Sequence, residues 1–193
     1  MKKAKLFEGV ATALVTPFHD GAADLASLRR LVRYQIGHGA DALVIAGTTG
    51  EAPTLSALEK LRCVSAAAEA SEGRVPIIAG TTTNDTAYSL RLSRLACREG
   101  ADAVLAVAPY YNRPTTTGLI CHFRTLADEI GKPILLYNVP SRTGCELTDA
   151  VYDALADHPL VAGIKEASGS VSRAAALIER YGDRLPVTAA TTN

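Results

Sequence analysis

The sequence predicts an α/β protein built as a (β/α)8 barrel, and three observations support this class. Apolar, β-branched runs alternate with amphipathic segments more than six times, in units of about thirty residues, which calls for a parallel sheet with helices outside it. The first strand is followed by Thr16-Pro17 rather than a GxGxxG turn, so the dinucleotide fingerprint of an open doubly wound sheet is missing. Polar and aromatic residues gather just after strands two, four, five and six, on the C-terminal face where barrels carry their chemistry.

Each element has a local reason. Residues 10–15 form the first apolar run, and a helix follows over 25–36, opened by Ser27 or Asp24. Strand two occupies 42–46, and helix 57–70 starts at Ser56 with Glu59 three residues on, the pattern of a capping box. Strand three covers 75–79, with Asn84-Asp85 opening a helix over 86–97. Strand four covers 103–108 and precedes a helix over 119–130. Strand five, 133–137, precedes a helix that Thr148 starts and Leu155 ends; strand six, 161–164 and closed by Lys165, precedes a helix over 171–181. Strand seven is expected at 186–189, and all seven strands read as buried. A complete barrel takes roughly 250 residues, whereas these 193 residues end within or just beyond strand seven. The expected domain is therefore one incomplete barrel over residues 1–193, units one to six plus the start of unit seven.

Composition narrows the function. With 48% hydrophobic residues the chain can bury a sizeable core, and 20 basic residues balance 20 acidic ones. No basic run points to nucleic acid or to an acidic membrane, which leaves small metabolites as the expected ligands. Cys63, Cys97, Cys121 and Cys145 lie far apart without a CxxC pattern, so neither a zinc site nor a disulfide scaffold is expected. Isolated buried thiols in a reducing cytosol are expected instead. Met1-Lys2-Lys3 is not followed by the continuous apolar stretch of a signal peptide, and no run reaches membrane-helix length. The expected location is cytoplasmic.

The residue that bears most on chemistry is Lys165, a lone amine in the apolar run Val161 to Ala167. A buried lysine is costly unless it is paired or loses its proton. The neutral amine can attack a carbonyl and form a Schiff base; the plain structural alternative is a strand-end lysine that reaches water or pairs with Glu166. Three further loops share its end of the strands. Gly47-Thr48-Thr49-Gly50-Glu51 sets two hydroxyls between glycines, suited to a carboxylate or to an ordinary turn. Pro109-Tyr110-Tyr111-Asn112-Arg113-Pro114 sets two phenols between prolines, and Tyr137-Asn138-Val139-Pro140-Ser141-Arg142-Thr143-Gly144 adds a phenol at a strand end and a guanidinium on the loop beyond. That guanidinium fork suits bidentate recognition of a carboxylate.

In this order and spacing, GTTGE, PYYNRP, YNVPSRTG and IKEASG resemble the dihydrodipicolinate synthase (4-hydroxy-tetrahydrodipicolinate synthase) family of the pyruvate-dependent class I aldolase superfamily, over about residues 7–187. GTTGE and the strand-six lysine are shared with sialic acid lyases and sugar-acid aldolases, while the arginine of YNVPSRTG points to the synthase branch. The resemblance implies Schiff-base condensation of pyruvate with aspartate 4-semialdehyde, without metal or other cofactor. It implies that Lys165 forms the Schiff base and Tyr137 relays protons. Thr48 links Tyr137 to a Tyr111 that reaches in from a neighbouring subunit of a homo-oligomer, usually a tetramer. Thr49 binds the pyruvate carboxylate and Arg142 receives the carboxylate of aspartate semialdehyde. At the effector site of lysine-inhibited members, Asn84 and Tyr110 match, whereas Lys60 replaces a histidine and Tyr88 replaces a glutamate. Weak or absent lysine inhibition is expected.

The chain departs from the family at 187–193, where a Ser-Gly-Asp or Ser-Gly-Asn segment is expected. A single-base frameshift is the expected origin: codons GTC TAC AGC GGC AAC GAC GAA C would encode the family-like Val-Tyr-Ser-Gly-Asn-Asp-Glu, and loss of one T would turn them into Val-Thr-Ala-Ala-Thr-Thr-Asn, the residues at 187–193. A barrel lacking strand eight exposes strand edges, so aggregation or a molten state is expected unless a second chain supplies the rest. Two alternatives to an active synthase follow, a pyruvate-dependent sugar-acid aldolase and an inactive remnant or interaction module.

Overall fold

The computed structural model describes residues 5–190. Its principal sheet follows chain order through seven strands: β1 (Ala11–Ala13), β2 (Ala42–Ile45), β3 (Ile77–Ala79), β4 (Ala103–Val107), β5 (Ile134–Asn138), β6 (Val161–Glu166) and β7 (Val187–Ala189). Residues 191–193, part of the segment for which a frameshift is expected, and the Met1-Lys2-Lys3 start lie outside the described residues.

The chain divides into two compact units. The first comprises Leu6–Thr81 and Arg91–Leu105. Here β1 to β4 run parallel, with α1 (Leu25–Gly37) and α2 (Ala57–Ser71) packed on one another. Asp24, rather than Ser27, caps α1: its carboxylate accepts the Ser27 N–H at 3.0 Å. The expected capping box of α2 is present, Ser56 Oγ accepting from Glu59 N and the Glu59 carboxylate accepting from Ser56 N at 2.8 Å. The core collects Leu28, Val32, Leu43, Ile45, Val64 and Ile77, and the small Ala67 and Ala70 let α2 lie close to it. An aspartate enters the ladder ahead of β2 and again ahead of β4. Asp41 Oδ2 accepts from Val10 N, just ahead of β1, at 2.8 Å and Asp102 Oδ2 accepts from Ile77 N of β3 at 2.9 Å, so each carboxylate satisfies a backbone amide at the start of the preceding strand.

Of the described residues, the second unit comprises Lys5, Thr82–Leu90 and residues 106–190. It contains α4 (Thr116–Ile130), β5, α5 (Pro140–Thr143), α6 (Asp149–Leu155), β6, α7 (Val171–Tyr181) and β7, with β5 to β7 parallel. The helix α3 (Thr86–Arg98) begins here, and Asp85 Oδ1 accepts the Tyr88 N–H at 2.9 Å as its cap. Phe123, Leu126, Ile134, Leu136, Tyr152 and Tyr181 are fully buried.

Three expectations are corrected and one element is added. The outer strands β1 and β7 are only half-buried, and Val10 and Val15 are exposed, because an outer strand is covered by a neighbour along one edge only. After β1 the chain makes a small antiparallel hairpin, Phe18–His19 with Ala22–Ala23, around Asp20 and Gly21 at positive φ of 50° and 77°; Asp-Gly at such a turn is a hairpin signal. Helix α4 starts at Thr116 rather than Leu119, because Thr115 caps it by accepting from Gly118 N at 3.2 Å. The thiols are not uniformly buried: Cys63 is, Cys97 and Cys145 are partly so, and Cys121 is exposed.

Candidate active site

The two residues central to the expected chemistry meet in the second unit. Lys165 lies on β6 directly across from Tyr137 on β5, and its Nζ stands 4.7 Å from the centre of the Tyr137 ring. Tyr137 is buried and Lys165 half-buried. Burial holds the Lys165 amine below its ordinary value of 10.5, since an ammonium loses hydration there. Among the described residues no carboxylate stands within ion-pair distance of it. Gly163, two residues earlier, permits a close strand approach: a Cβ there would lie 2.6 Å from the Pro186 carbonyl oxygen.

Glu166 is not the partner of Lys165. Successive strand side chains point to opposite faces, and Glu166, buried on the other face, accepts from Asn138 Nδ2 at 2.9 and 3.2 Å and from Ser168 N at 2.8 Å. Asn138 Oδ1 accepts in turn from Leu147 N at 3.0 Å. Sequence reasoning left Asn138 without a role. The only signal for it was its place beside Tyr137, matching that of Glu166 beside Lys165.

Arg142 is exposed and belongs to α5, a single helical turn where an irregular loop was expected. Pro140 starts that turn with its preset φ and Gly144 ends it at φ 70°. The buried Thr143 hydroxyl donates to the Cys145 carbonyl at 2.8 Å and ties the turn down. The other tyrosine loop packs nearby in the same unit: Cys145 Sγ lies 3.7 Å from the Pro109 carbonyl oxygen. Asn112 and Asn84 also exchange hydrogen bonds, Nδ2 of Asn112 to Asn84 O at 3.1 Å and Nδ2 of Asn84 to Asn112 Oδ1 at 3.3 Å. Tyr111 itself is 90% exposed and holds a φ of 70°, a conformation a non-glycine residue adopts at a cost. The loop presents this ring outward instead of packing it.

Thr48 and Thr49 belong to the first unit, both exposed after β2. Their loop is closed on itself. Gly50 N and Ala52 N donate to Gly47 O, Glu51 N donates to Thr48 O, and Thr16 Oγ1 donates to Gly50 O at 2.7 Å. Three amides of this loop are thereby committed to the turn rather than offered to an anion. Gly50 leaves little room for a side chain, because a Cβ would meet Leu14 O at 3.0 Å and the Ala46 Cα at 3.2 Å.

These residues can be set beside known proteins. The model of the dihydrodipicolinate synthetase family matches residues 6–190. The chain belongs to this family. A 4-hydroxy-tetrahydrodipicolinate synthase of Pelobacter propionicus is 48% identical over 182 residues, 94% of this chain and 63% of that protein. Among solved structures, a dihydrodipicolinate synthase of Bacillus anthracis superposes with a TM-score of 0.90 at 39% identity, over 93% of this chain and 62% of the other. The chloride-inhibited enzyme of Acinetobacter baumannii, complexed with pyruvate, gives 0.90 at 42%, over 94% and 62%. The fold is thus that of the (β/α)8 barrel through its seventh strand, and the chain spans about 63% of the length of the curated relatives it matches. No helix of the described residues is long and apolar enough to cross a membrane.

Proposed function

We propose that this chain carries the Schiff-base machinery of a 4-hydroxy-tetrahydrodipicolinate synthase, a lyase that condenses pyruvate with aspartate 4-semialdehyde in lysine and diaminopimelate biosynthesis. The observation that carries the proposal is the Lys165–Tyr137 pair: an amine depressed by burial, without an acid partner among the described residues, 4.7 Å from the centre of a phenol ring.

The chemistry follows from the two groups. The neutral Lys165 amine adds to the ketone carbon of pyruvate, and the carbinolamine loses water to leave an iminium. Both steps move protons, and the Tyr137 phenol is the group assigned to give and take them. The iminium draws electrons from the adjacent methyl carbon, which loses a proton, and the resulting enamine forms a carbon–carbon bond to the aldehyde carbon of the second substrate. The substrate's own amine then displaces Lys165 as the ring closes. The roles assigned to the other residues are Thr49 on the pyruvate carboxylate, Arg142 on the carboxylate of the semialdehyde, and Thr48 and Tyr111 completing the proton relay. The outward, 90% exposed Tyr111 ring supports its donation to a neighbouring subunit of a homo-oligomer. A cytosolic setting fits a thiol as exposed as Cys121.

Borohydride trapping of the purified 193-residue chain with pyruvate, read by intact mass and peptide mapping, tests the proposal. An adduct on Lys165 is expected. Absence of an adduct, with a full-length relative labelled in parallel, would refute an assembled amine site in this chain. An adduct with turnover of a sugar-derived aldehyde but none of aspartate semialdehyde would move the assignment to the sugar-acid aldolases.

A further inference from the structure

The pairing of β5 with β6 is irregular. Ile134 is opposite Val161, but the next pair is Leu135 with Gly163, so Ala162 is skipped and every later pair is displaced by one residue. The displaced register sets Tyr137 against Lys165 and Asn138 against Glu166. Without it, Tyr137 would face Ile164 and Lys165 would face Asn138. Since paired residues on neighbouring strands share a face, a slip of one residue separates the phenol from the amine entirely. The apolar residues of the two strands do not select between the registers, because both faces of β5 and β6 are buried almost throughout and either suits an apolar side chain.

We propose that Asn138 and Glu166 form a buried register pin that holds the displaced pairing and thereby positions Lys165 beside Tyr137. Both side chains are buried, at 0% and 3% exposure, on the face opposite the amine, and they bond to each other at 2.9 and 3.2 Å only in this register. Their remaining acceptors are also engaged, Asn138 Oδ1 by Leu147 N and Glu166 Oε1 by Ser168 N. The first of these bonds also anchors the segment that follows α5. Neither side chain touches the reacting atoms, so both are positioning residues. The inference deepens the proposed Schiff-base reading and rests on it for its catalytic consequence, while the geometry can be measured separately.

The test uses the full chain and three variants: Glu166→Gln, the swap Asn138→Asp with Glu166→Gln, and Tyr137→Leu as the reference without a ring. The swap keeps donor facing acceptor, with the amide now on β6 donating to the carboxylate now on β5, whereas in Glu166→Gln alone an amide oxygen kept on Ser168 N turns the new NH2 against the Asn138 Nδ2 donor, 2.9 Å from the oxygen it replaces. The geometric readout is the ring-current shift of the Lys165 ε-methylene signal by NMR, and the chemical readout is the rate of pyruvate trapping. Glu166→Gln, native by circular dichroism, is expected to lose most of the Lys165 shift and to trap pyruvate roughly 100-fold more slowly, and the swap is expected to restore both. An unchanged shift in folded Glu166→Gln would overturn the pin whether or not pyruvate is trapped. Failure of the wild-type chain to trap pyruvate, with the shift lost in Glu166→Gln and regained in the swap, would refute the catalytic reading and leave the pin standing. If Glu166→Gln does not fold, the swap decides alone: a retained shift supports the pin and a lost one overturns it.

Discussion

Replacing Lys165 by Met removes the amine while keeping an unbranched side chain that can still lie against the Tyr137 ring. In the unfolded chain the amine titrates at its ordinary value of 10.5, and in the folded protein burial lowers that value. Between the two, the unfolded state holds more protons than the folded one, so wild-type stability rises with pH there, by at most about 1.4 kcal/mol per pH unit for one group. Below the folded value the full desolvation cost applies; above 10.5 it vanishes. The Met variant carries no such term. It is therefore expected to be the more stable protein at neutral pH, with its advantage shrinking as the pH climbs toward lysine's ordinary value. Lys60, also buried and also depressed by burial, is common to both proteins and cancels in the difference. Urea unfolding of the pair at a series of pH values from neutral to strongly alkaline measures the gap. A difference independent of pH would refute a depressed Lys165 amine, and with it the physical basis for a nucleophile at this position.

Tyr137→Phe keeps the ring against Lys165 but removes the proton carrier, so pyruvate trapping should slow by about 100-fold or more while the adduct still maps to Lys165; an unchanged rate would exclude the phenol from the relay. Free lysine at millimolar concentration should inhibit weakly or not at all in an active form of the protein, because Tyr88 offers no carboxylate to an effector ammonium; a clear inhibition curve would overturn this. A thiol reagent at mildly alkaline pH should modify exposed Cys121 first and spare Cys63, whose thiol is raised to about 11 by burial and secondly by the charge of Glu59; early loss of Cys63, followed by peptide mapping, would contradict that order.

Much of the fold and site was legible in the residues alone. The alternation of apolar runs with amphipathic segments placed all seven strands. Ser56 with Glu59 announced the start of α2 because a capping box is a contact between neighbours in sequence. Lys165 stood out because an amine inside an apolar strand has few ways to be tolerated. Other features were equally local yet went unread, such as the Asp20-Gly21 hairpin and the Thr115 cap of α4. What local pattern could not supply is the side-chain pairing across strands. Glu166 was weighed as a partner for its chain neighbour Lys165, but strand alternation turns it to the other face, where it meets Asn138, 28 residues away. The identity of the amine and the phenol was thus a property of the sequence by itself. Their meeting was decided only in the tertiary structure, because strand register is a choice between pairings that differ by one residue and look alike to every local preference, and buried, distant hydrogen bonds are what distinguish them.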